Sequence, residues 1–169
     1  MSDEIQFYAV DEPFGGFSNH APFPIKLGGR LWPTVEHYFQ AQKFPGSPHE
    51  EAIRSAPTSQ LAAELGRDRK KPLRVDWPQV KDSLMRAALR AKFTQHAELR
   101  AQLLATGDAR LVEHAVHDLY WGDGGDGTGK NALGLMLMEL RAELRRSQNA
   151  AATAGAQPPL PDAPPQPRV

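Results

Sequence analysis

The stretch that decides the fold is Trp32-Pro33-Thr34-Val35-Glu36-His37-Tyr38-Phe39-Gln40-Ala41-Gln42-Lys43-Phe44. Pro33 suits the first helical position and the Thr34 hydroxyl can accept from free backbone amides, so the stretch predicts a short helix. Glu36, Gln40 and Lys43 then follow at i, i+4 and i+7 and project to one side. A carboxylate and an amine spaced in this way can form an acid–base pair with a nucleophilic amine. The same spacing is also that of an ordinary solvated helix face.

The segments around this helix predict a mainly α fold with a small N-terminal β element. Ile5–Val10 is rich in strand-forming residues, and Gly28-Gly29 separates two short alternating runs, which is a hairpin signal. Thr58 is expected to cap a helix that ends at Gly66, and Asp76 to cap the next one. The periodic leucines predict two more helices, around Leu99–Leu104 and over Asn131–Arg146.

Composition bounds the classes of protein to which the chain can belong. Its 169 residues suffice for one domain of ordinary size, which we expect over residues 1–148. Residues 149–169 are rich in Ala and Pro and predict a disordered tail. Lys+Arg and Asp+Glu number 20 each and cysteine is absent, which argues against a broad nucleic-acid surface and against thiol chemistry. We find no leader and no membrane span in the sequence and expect a cytoplasmic protein.

The glycine-dense loop Leu119–Asn131 matches two nucleotide-binding patterns only superficially. Gly122, Gly124 and Gly127 fit GxGxxG, but no strand–helix–strand unit surrounds them. Gly124 to Lys130 fits GxxxxGK, but Asn131 follows where a magnesium-binding Ser or Thr is needed. The loop is therefore either a long turn or a set of free backbone amides for a phosphate or ribose, with Trp121 stacking on a heterocycle.

Other candidate motifs are weaker. Ser18 and Asn19 can make local turn bonds or hold a ligand, and the basic region Arg54–Arg74 can supply a guanidinium for a phosphate. His114 and His117 lie three residues apart without a third ligand at a recognised spacing, so we predict no metal site.

Taken together, the motifs resemble the NADAR family of YbiA-like proteins over about Ile5–Arg146. The runs that carry the resemblance are Phe17–Asn19, Trp32–Phe44, Leu65–Arg67, Asp76-Trp77, Val80–Asp82, Ala91–Phe93, Asp118–Gly122 and Gly129–Gly134. The resemblance implies a mostly helical fold and an enzyme that hydrolyses N-glycosidic bonds, with no metal or organic cofactor. It implies small phosphorylated ribosylamines of riboflavin synthesis as substrates, or else ADP-ribosyl groups.

The resemblance also implies roles for individual residues. Glu36 and Lys43 match the family's proposed catalytic carboxylate and lysine, and Asp118 is a second candidate for activating water. A neutral Lys43 can form a Schiff base with the sugar, which requires burial to lower its pKa from the free value of ~10.4. The substrate-binding candidates are Phe17, Ser18, Asn19, Trp32, Gln40, Arg67, Trp121, Gly122, Lys130 and Asn131.

Three functions stay open on sequence alone. The first is an N-glycosidase of riboflavin-pathway ribosylamine phosphates. The second is a hydrolase that removes ADP-ribose from guanine in nucleic acid, the only case in which nucleic acid is a partner. The third is a binding module for ADP-ribose or a nucleotide. The pair Glu36 and Lys43 argues against the third function, since binding alone needs neither group.

Overall fold

The computed structural model describes residues 3–155, and over this range the mainly α prediction is confirmed. Six α-helices and four short strands follow in the order β1 (Glu4–Phe7), β2 (Ile25–Leu27), β3 (Arg30–Trp32), α1 (Val35–Ala41), α2 (Pro48–Arg54), α3 (Ser59–Gly66), α4 (Trp77–Gln95), α5 (Ala97–Ala105), β4 (Arg110–Glu113) and α6 (Ala132–Gly155). A single 3₁₀ turn, Gly15–Phe17, precedes β2.

Helix α1 lies at the centre of the fold. The Thr34 side chain accepts from the backbone N–H of His37 at 3.2 Å, which confirms Thr34 as the cap. All seven residues of α1 are buried, because α2, α3 and α4 pack around it. The solvated-face interpretation is therefore wrong. The helix ends at Ala41, so Lys43 follows its last turn instead of lying on it.

The predicted hairpin is confirmed. Strands β2 and β3 pair antiparallel, with Ile25 opposite Trp32, and the two glycines between them have φ of 62° and 74°. Positive φ at both central positions is the geometry that a two-residue turn between twisted strands requires, and glycine adopts it without steric cost. Strand β3 ends at Trp32, so the hairpin leads directly to Thr34, the N-cap residue of α1.

The sequence analysis did not predict the second two-stranded sheet, which is parallel. Strand β1 pairs with β4 in parallel register, from Glu4 opposite Arg110 to Phe7 opposite Glu113. Helix α2, capped by Ser47, was also not predicted. The β1–β4 pair matters for function because it fixes the backbone of Glu113 at the end of a strand.

Two boundaries differ from the sequence prediction. Helix α6 continues to Gly155, past the expected domain end at residue 148, because residues 149–154 are mostly alanine, a strong helix former. The rest of the predicted tail lies outside the described residues. At the start of α4, Asp76 pairs with Arg74 Nε at 2.6 Å rather than with a helix amide. The helix nevertheless begins directly after Asp76, at Trp77.

Two further features concern residues 3–155. Over this range no helix has the length and apolar character needed to cross a membrane. The same residues contain no cluster of three or more His, Cys, Asp or Glu side chains suited to a metal ion.

Candidate active site

A cavity of about 1000 Å³ opens between α1, the segment before the hairpin, α4 and the segment that follows β4. Eight of the predicted site residues line it: Ser18, Asn19, Glu36, Gln40, Lys43, Arg67, Asp118 and Trp121. The three catalytic candidates are therefore brought to one concave surface, although Asp118 is far from the other two in sequence.

Glu36 is held rigidly at the wall of this cavity. The Gln40 side-chain amide donates to Glu36 Oε1 at 2.7 Å, one helical turn along α1. The backbone N–H of Glu36 donates to the carbonyl of Asn19 at 3.1 Å, which ties α1 to the segment before the hairpin. His20 Nε2 lies 3.9 Å from Glu36 Oε2. The carboxylate is thus oriented by one neighbour and retains an oxygen that faces His20.

The Lys43 amine lies beside this carboxylate in a partly buried position. Its Nζ donates to the Gly66 carbonyl at 3.2 Å and lies 5.6 Å from the centre of the Trp77 ring. Burial lowers the pKa of Lys43 below its usual 10.5; the Glu36 charge opposes this shift and the Arg67 charge adds to it. Lys43 therefore has a larger neutral, nucleophilic fraction near neutral pH than an exposed lysine.

Two amide oxygens in the cavity wall have no protein partner. Asn19 Oδ1 and Gln40 Oε1 are buried and accept no hydrogen bond from any residue in the range 3–155. Asn19 Nδ2 contacts the Met85 sulfur at 3.5 Å. Gln40 Oε1 lies against Gly66, whereas Asn19 belongs to the segment before the hairpin that lines the cavity, so of the two only the Asn19 oxygen suits a hydroxyl group of a bound sugar.

Asp118 and Trp121 reach the cavity from the segment after β4. Asp118 Oδ1 accepts from the backbone N–H of Tyr120 at 2.9 Å and from that of Trp121 at 2.8 Å. This turn positions the Trp121 ring, whose centre is 5.2 Å from that of Phe39 in an edge-on arrangement. Asp118 thus has a clear structural role, and Trp121 presents an aromatic surface to the cavity.

Five predicted binding residues do not line the cavity. Phe17 is fully buried and packs edge-on against Phe7 and Phe93, with ring centres 5.8 and 5.6 Å away. Trp32 is also buried, and its indole N–H donates to the Leu27 carbonyl at 3.0 Å. Both aromatic residues therefore belong to the hydrophobic core and not to the cavity wall.

The other three stabilise the glycine-dense loop. A Cβ on Gly122 would lie 2.6 Å from the Cβ of Ala115, so this glycine allows close packing. Lys130 Nζ stands 4.9 Å from the centre of the Tyr120 ring. The Asn131 side chain accepts from Glu113 N–H at 2.9 Å and donates to Leu111 O at 2.8 Å, which anchors α6 to β4.

Sequence reasoning missed Glu113, which also lines the cavity. Its Oε2 is buried and accepts no hydrogen bond within the described part of the chain. Burial, and then the charges of Asp118, Glu36 and Asp123, raise the pKa of Glu113 to about 8. The only sequence signal is an acidic residue at the end of the short apolar run Leu111-Val112.

A second cavity, of about 650 Å³, adjoins the first. The two share Lys43, Arg67 and Trp77 as lining residues. The second also contains the cations Arg69 and Lys71, with Asp68 as its one acidic lining residue. This excess of positive charge suits a phosphate group, and a guanidinium such as that of Arg67 can bind two phosphate oxygens at once.

Comparisons with known proteins agree on one family. The NADAR domain model matches residues 6–145. The chain is 59% identical to N-glycosidase YbiA of Escherichia coli over 140 residues, 83% of this chain and 88% of that protein. It is 43% identical to a riboflavin biosynthesis protein of Vibrio vulnificus, over 86% of this chain and 40% of the longer protein. The NMR structure of E. coli YbiA has a TM-score of 0.81 and 57% identity, covering 88% of this chain and 89% of that one.

Proposed function

The chain belongs to the NADAR family, and we propose that it hydrolyses the N-glycosidic bond of ribosylamine phosphates through a Schiff base on Lys43. It is a hydrolase of N-glycosyl compounds, since relatives at 59% and 46% identity are named N-glycosidases. The riboflavin biosynthesis names of two further relatives support an intermediate of that pathway as the substrate.

One observation carries the proposal: the Lys43 amine and the Glu36 carboxylate line the same cavity, and burial lowers the pKa of the amine. A lysine that only bound phosphate would bind best when fully charged. A lysine that attacks carbon must first lose its proton. The environment of Lys43 favours the second use.

The first half of the reaction transfers the sugar from its amine to the enzyme. The ribosylamine ring opens to an imine at C1′, and the Lys43 nitrogen donates its lone pair to C1′. The π electrons of the C1′=N bond move to the substrate nitrogen, which takes one proton from Nζ. The C1′–N bond to the aminopyrimidine then breaks, its electron pair stays with the departing nitrogen, and that nitrogen takes a second proton from the site. The sugar is left as a protonated C1′=Nζ Schiff base on Lys43.

The second half returns the enzyme to its starting state. Water adds to C1′ of the protonated Schiff base and gives one proton to the site. The hydroxyl group so formed passes its proton to Nζ, and the C1′–Nζ bond breaks to release the aldehyde form of the phosphorylated sugar. We assign the transfer from this hydroxyl group to Nζ to Glu36, since one of its oxygens lies near His20 and its charge acts on Lys43. The overall change is the addition of one water across the N-glycosidic bond.

The cavity supplies a partner for each part of such a substrate. Arg67 lies at the junction of the two cavities and suits the sugar phosphate. The unpaired side-chain oxygen of Asn19 suits a ribose hydroxyl. Trp121 offers a stacking surface for the pyrimidine.

Borohydride trapping tests the proposal. Wild-type protein, Lys43→Arg and the matched control Lys26→Arg are incubated with ribosylaminopyrimidine phosphate and borohydride, and the adducts are located by mass spectrometry. Lys26 is exposed and lies on β2, outside the cavity. We expect a reduced sugar adduct on Lys43 in wild type and in Lys26→Arg, and neither adduct nor turnover in Lys43→Arg.

Turnover that survives in Lys43→Arg would instead assign the reaction to water activated by Glu36 or Asp118.

The second cavity is the observation that favours the alternative substrate, an ADP-ribosyl group, because it extends the positive surface beyond Arg67. The same assay with ADP-ribosylated DNA distinguishes the two. Release of the aminopyrimidine from the first substrate or of ADP-ribose from the second, and not of both, identifies the substrate class.

A further inference from the structure

Glu113 has a fixed backbone and a side chain without a partner. Its N–H donates to Asn131 Oδ1 at 2.9 Å, and its carbonyl accepts from the backbone N–H groups of Ala115 at 3.0 Å and Asp123 at 2.9 Å. The Oε2 atom is nevertheless buried with no hydrogen-bond partner among residues 3–155, in a residue that lines the cavity. A buried polar atom that the protein leaves unpaired is costly, which points to a partner that arrives with the substrate.

The charged groups around Glu113 are acidic. Glu36 faces it from α1, and Asp118 and Asp123 face it from the segment after β4. Asp123 is itself paired with His114 Nδ1 at 3.0 Å, which partly neutralises that contribution. The neighbours on β1 and at the start of α6 are Phe7 and the neutral Asn131. Burial and these three acids all raise the pKa of Glu113, so its surroundings favour the protonated carboxyl form.

We propose that Glu113 is a further catalytic residue, the acid that gives its proton to the amine as that amine leaves C1′. The proposal rests on the proposed function, and it assigns the proton donor that the first half-reaction requires. Lys43 can supply only the first of the two protons that the leaving nitrogen needs, because Nζ keeps its remaining proton in the Schiff base, so the second proton requires another acid. Glu36 is fixed by Gln40 and lies close enough for its charge to act on both Lys43 and Glu113.

The proton balance closes over one turnover. As the C1′–N bond breaks, its electron pair moves to the nitrogen and the Glu113 Oε2–H proton transfers to that nitrogen. The products of the step are a neutral amine, a protonated Schiff base on Lys43 and a Glu113 carboxylate. When water later adds to the Schiff base, the proton that it loses returns to Glu113.

The first test needs no substrate. Infrared difference spectra between wild type and Glu113→Gln at pH 7 are expected to contain the carbonyl stretch of a protonated carboxyl. The same difference with Glu64→Gln is expected to lack it, since Glu64 is exposed on α3 and outside the cavity. Absence of the band in the Glu113 difference would overturn the proposal, whichever substrate the enzyme takes.

The second test uses two ribosylamine phosphates whose leaving amines differ in basicity. We expect Glu113→Gln to slow release of the poorer leaving group by roughly 10²- to 10⁴-fold, the usual contribution of a positioned acid, and to slow the better one much less. Glu64→Gln should match wild type on both. An equal loss on both substrates, or no loss, would show that Glu113 does not donate the proton.

A third measurement separates this proposal from the role of Lys43. Phosphorylated ribose forms a Schiff base from its aldehyde by losing water, so no amine has to leave. Borohydride should therefore still trap this sugar on Lys43 in Glu113→Gln. If no adduct is trapped in wild type, the Lys43 mechanism is contradicted. If trapping fails only in Glu113→Gln, Glu113 supports the lysine structurally and its role as proton donor is overturned.

Discussion

The Lys43 amine is anchored by Gly66: Nζ donates to the Gly66 carbonyl at 3.2 Å. The same glycine packs directly against Gln40, the residue that orients Glu36. The Lys43 amine and, through Gln40, the Glu36 carboxylate are therefore both positioned by the last residue of α3. A change at this one glycine should disturb both groups together.

Gly66→Ala tests this coupling. The added Cβ would lie 2.0 Å from Gln40 Oε1 and 2.7 Å from Gln40 Cβ, so Gln40 has to move. Overpacking costs about 1–3 kcal/mol, which exceeds the gain of about 0.5–1 kcal/mol from replacing a helical glycine. We expect lower stability in denaturant titration and reduced kcat. Gly155→Ala is the control, because a Cβ there meets no described atom within 4 Å; equal effects of the two changes would refute the coupling.

The titration of Lys43 should respond in opposite directions to two neighbours. The Glu36 charge raises the pKa of Lys43 and the Arg67 charge lowers it. Glu36→Gln should therefore shift the rise in amine reactivity to lower pH, and Arg67→Gln should shift it to higher pH. The measurement is the rate at which a neutral amine-reactive reagent modifies Lys43, followed by mass spectrometry. Exposed Lys26 in the same digest serves as the internal reference, and shifts in the same direction would contradict the expectation.

Lys92 should make stability depend on pH. It is fully buried, donates to the Ser18 carbonyl at 2.8 Å, and burial lowers its pKa from 10.5 to about 7. Between these two values the unfolded chain binds more protons than the folded one, so this residue makes the free energy of unfolding rise with pH.

The variant Lys92→Met lacks both this charge and the Ser18 hydrogen bond. Relative to wild type, it should become progressively more destabilised as the pH rises from about 7 to about 10. Urea titrations at several pH values measure the difference. A difference that stays constant with pH would show that Lys92 does not titrate in this range.

Asn131 should contribute to stability rather than to substrate binding. Its side chain satisfies Glu113 N–H and Leu111 O, and its φ is 50°. Asn131→Gly suits that φ but leaves one buried and one partly buried backbone group unpaired, which costs roughly 2–6 kcal/mol at about 1–3 each. Asn131→Ala should cost about 1–2 kcal/mol more because of its backbone strain. A normal unfolding free energy with a raised KM would favour the binding role instead.

Trp121 should contribute to substrate affinity. Stacking of a base on an aromatic ring is worth about 1–3 kcal/mol, so Trp121→Ala should raise KM by roughly 5- to 150-fold, and Trp121→Phe by less. The ring also packs against Phe39, so folding is checked by circular dichroism. A folded Trp121→Ala variant with unchanged KM would exclude stacking.

Features that depend on neighbouring residues were predictable from the sequence. Thr34 caps α1 and Gly28-Gly29 turns the hairpin, as expected, because capping and turn geometry are set within a few residues. Asp76 was the exception, since the nearby Arg74 competes for its carboxylate. The motif aromatics Phe17 and Trp32 were assigned to binding, but sequence alone does not distinguish a core aromatic from one that lines a cavity.

The sequence by itself therefore predicted the helical class, helix α1 and the hairpin before it, because periodicity, capping and turn geometry act along the chain. The catalytic roles of Glu36 and Lys43 were what the family resemblance implied. Only the tertiary structure decided the burial of Lys43 and Lys92 and the position of Glu113. The parallel pairing of β1 with β4 joins Glu4 to Arg110 and carries Glu113 into the cavity. Desolvation and charge–charge interactions depend on distances between residues that are remote in sequence, so the protonation of these groups follows from the fold.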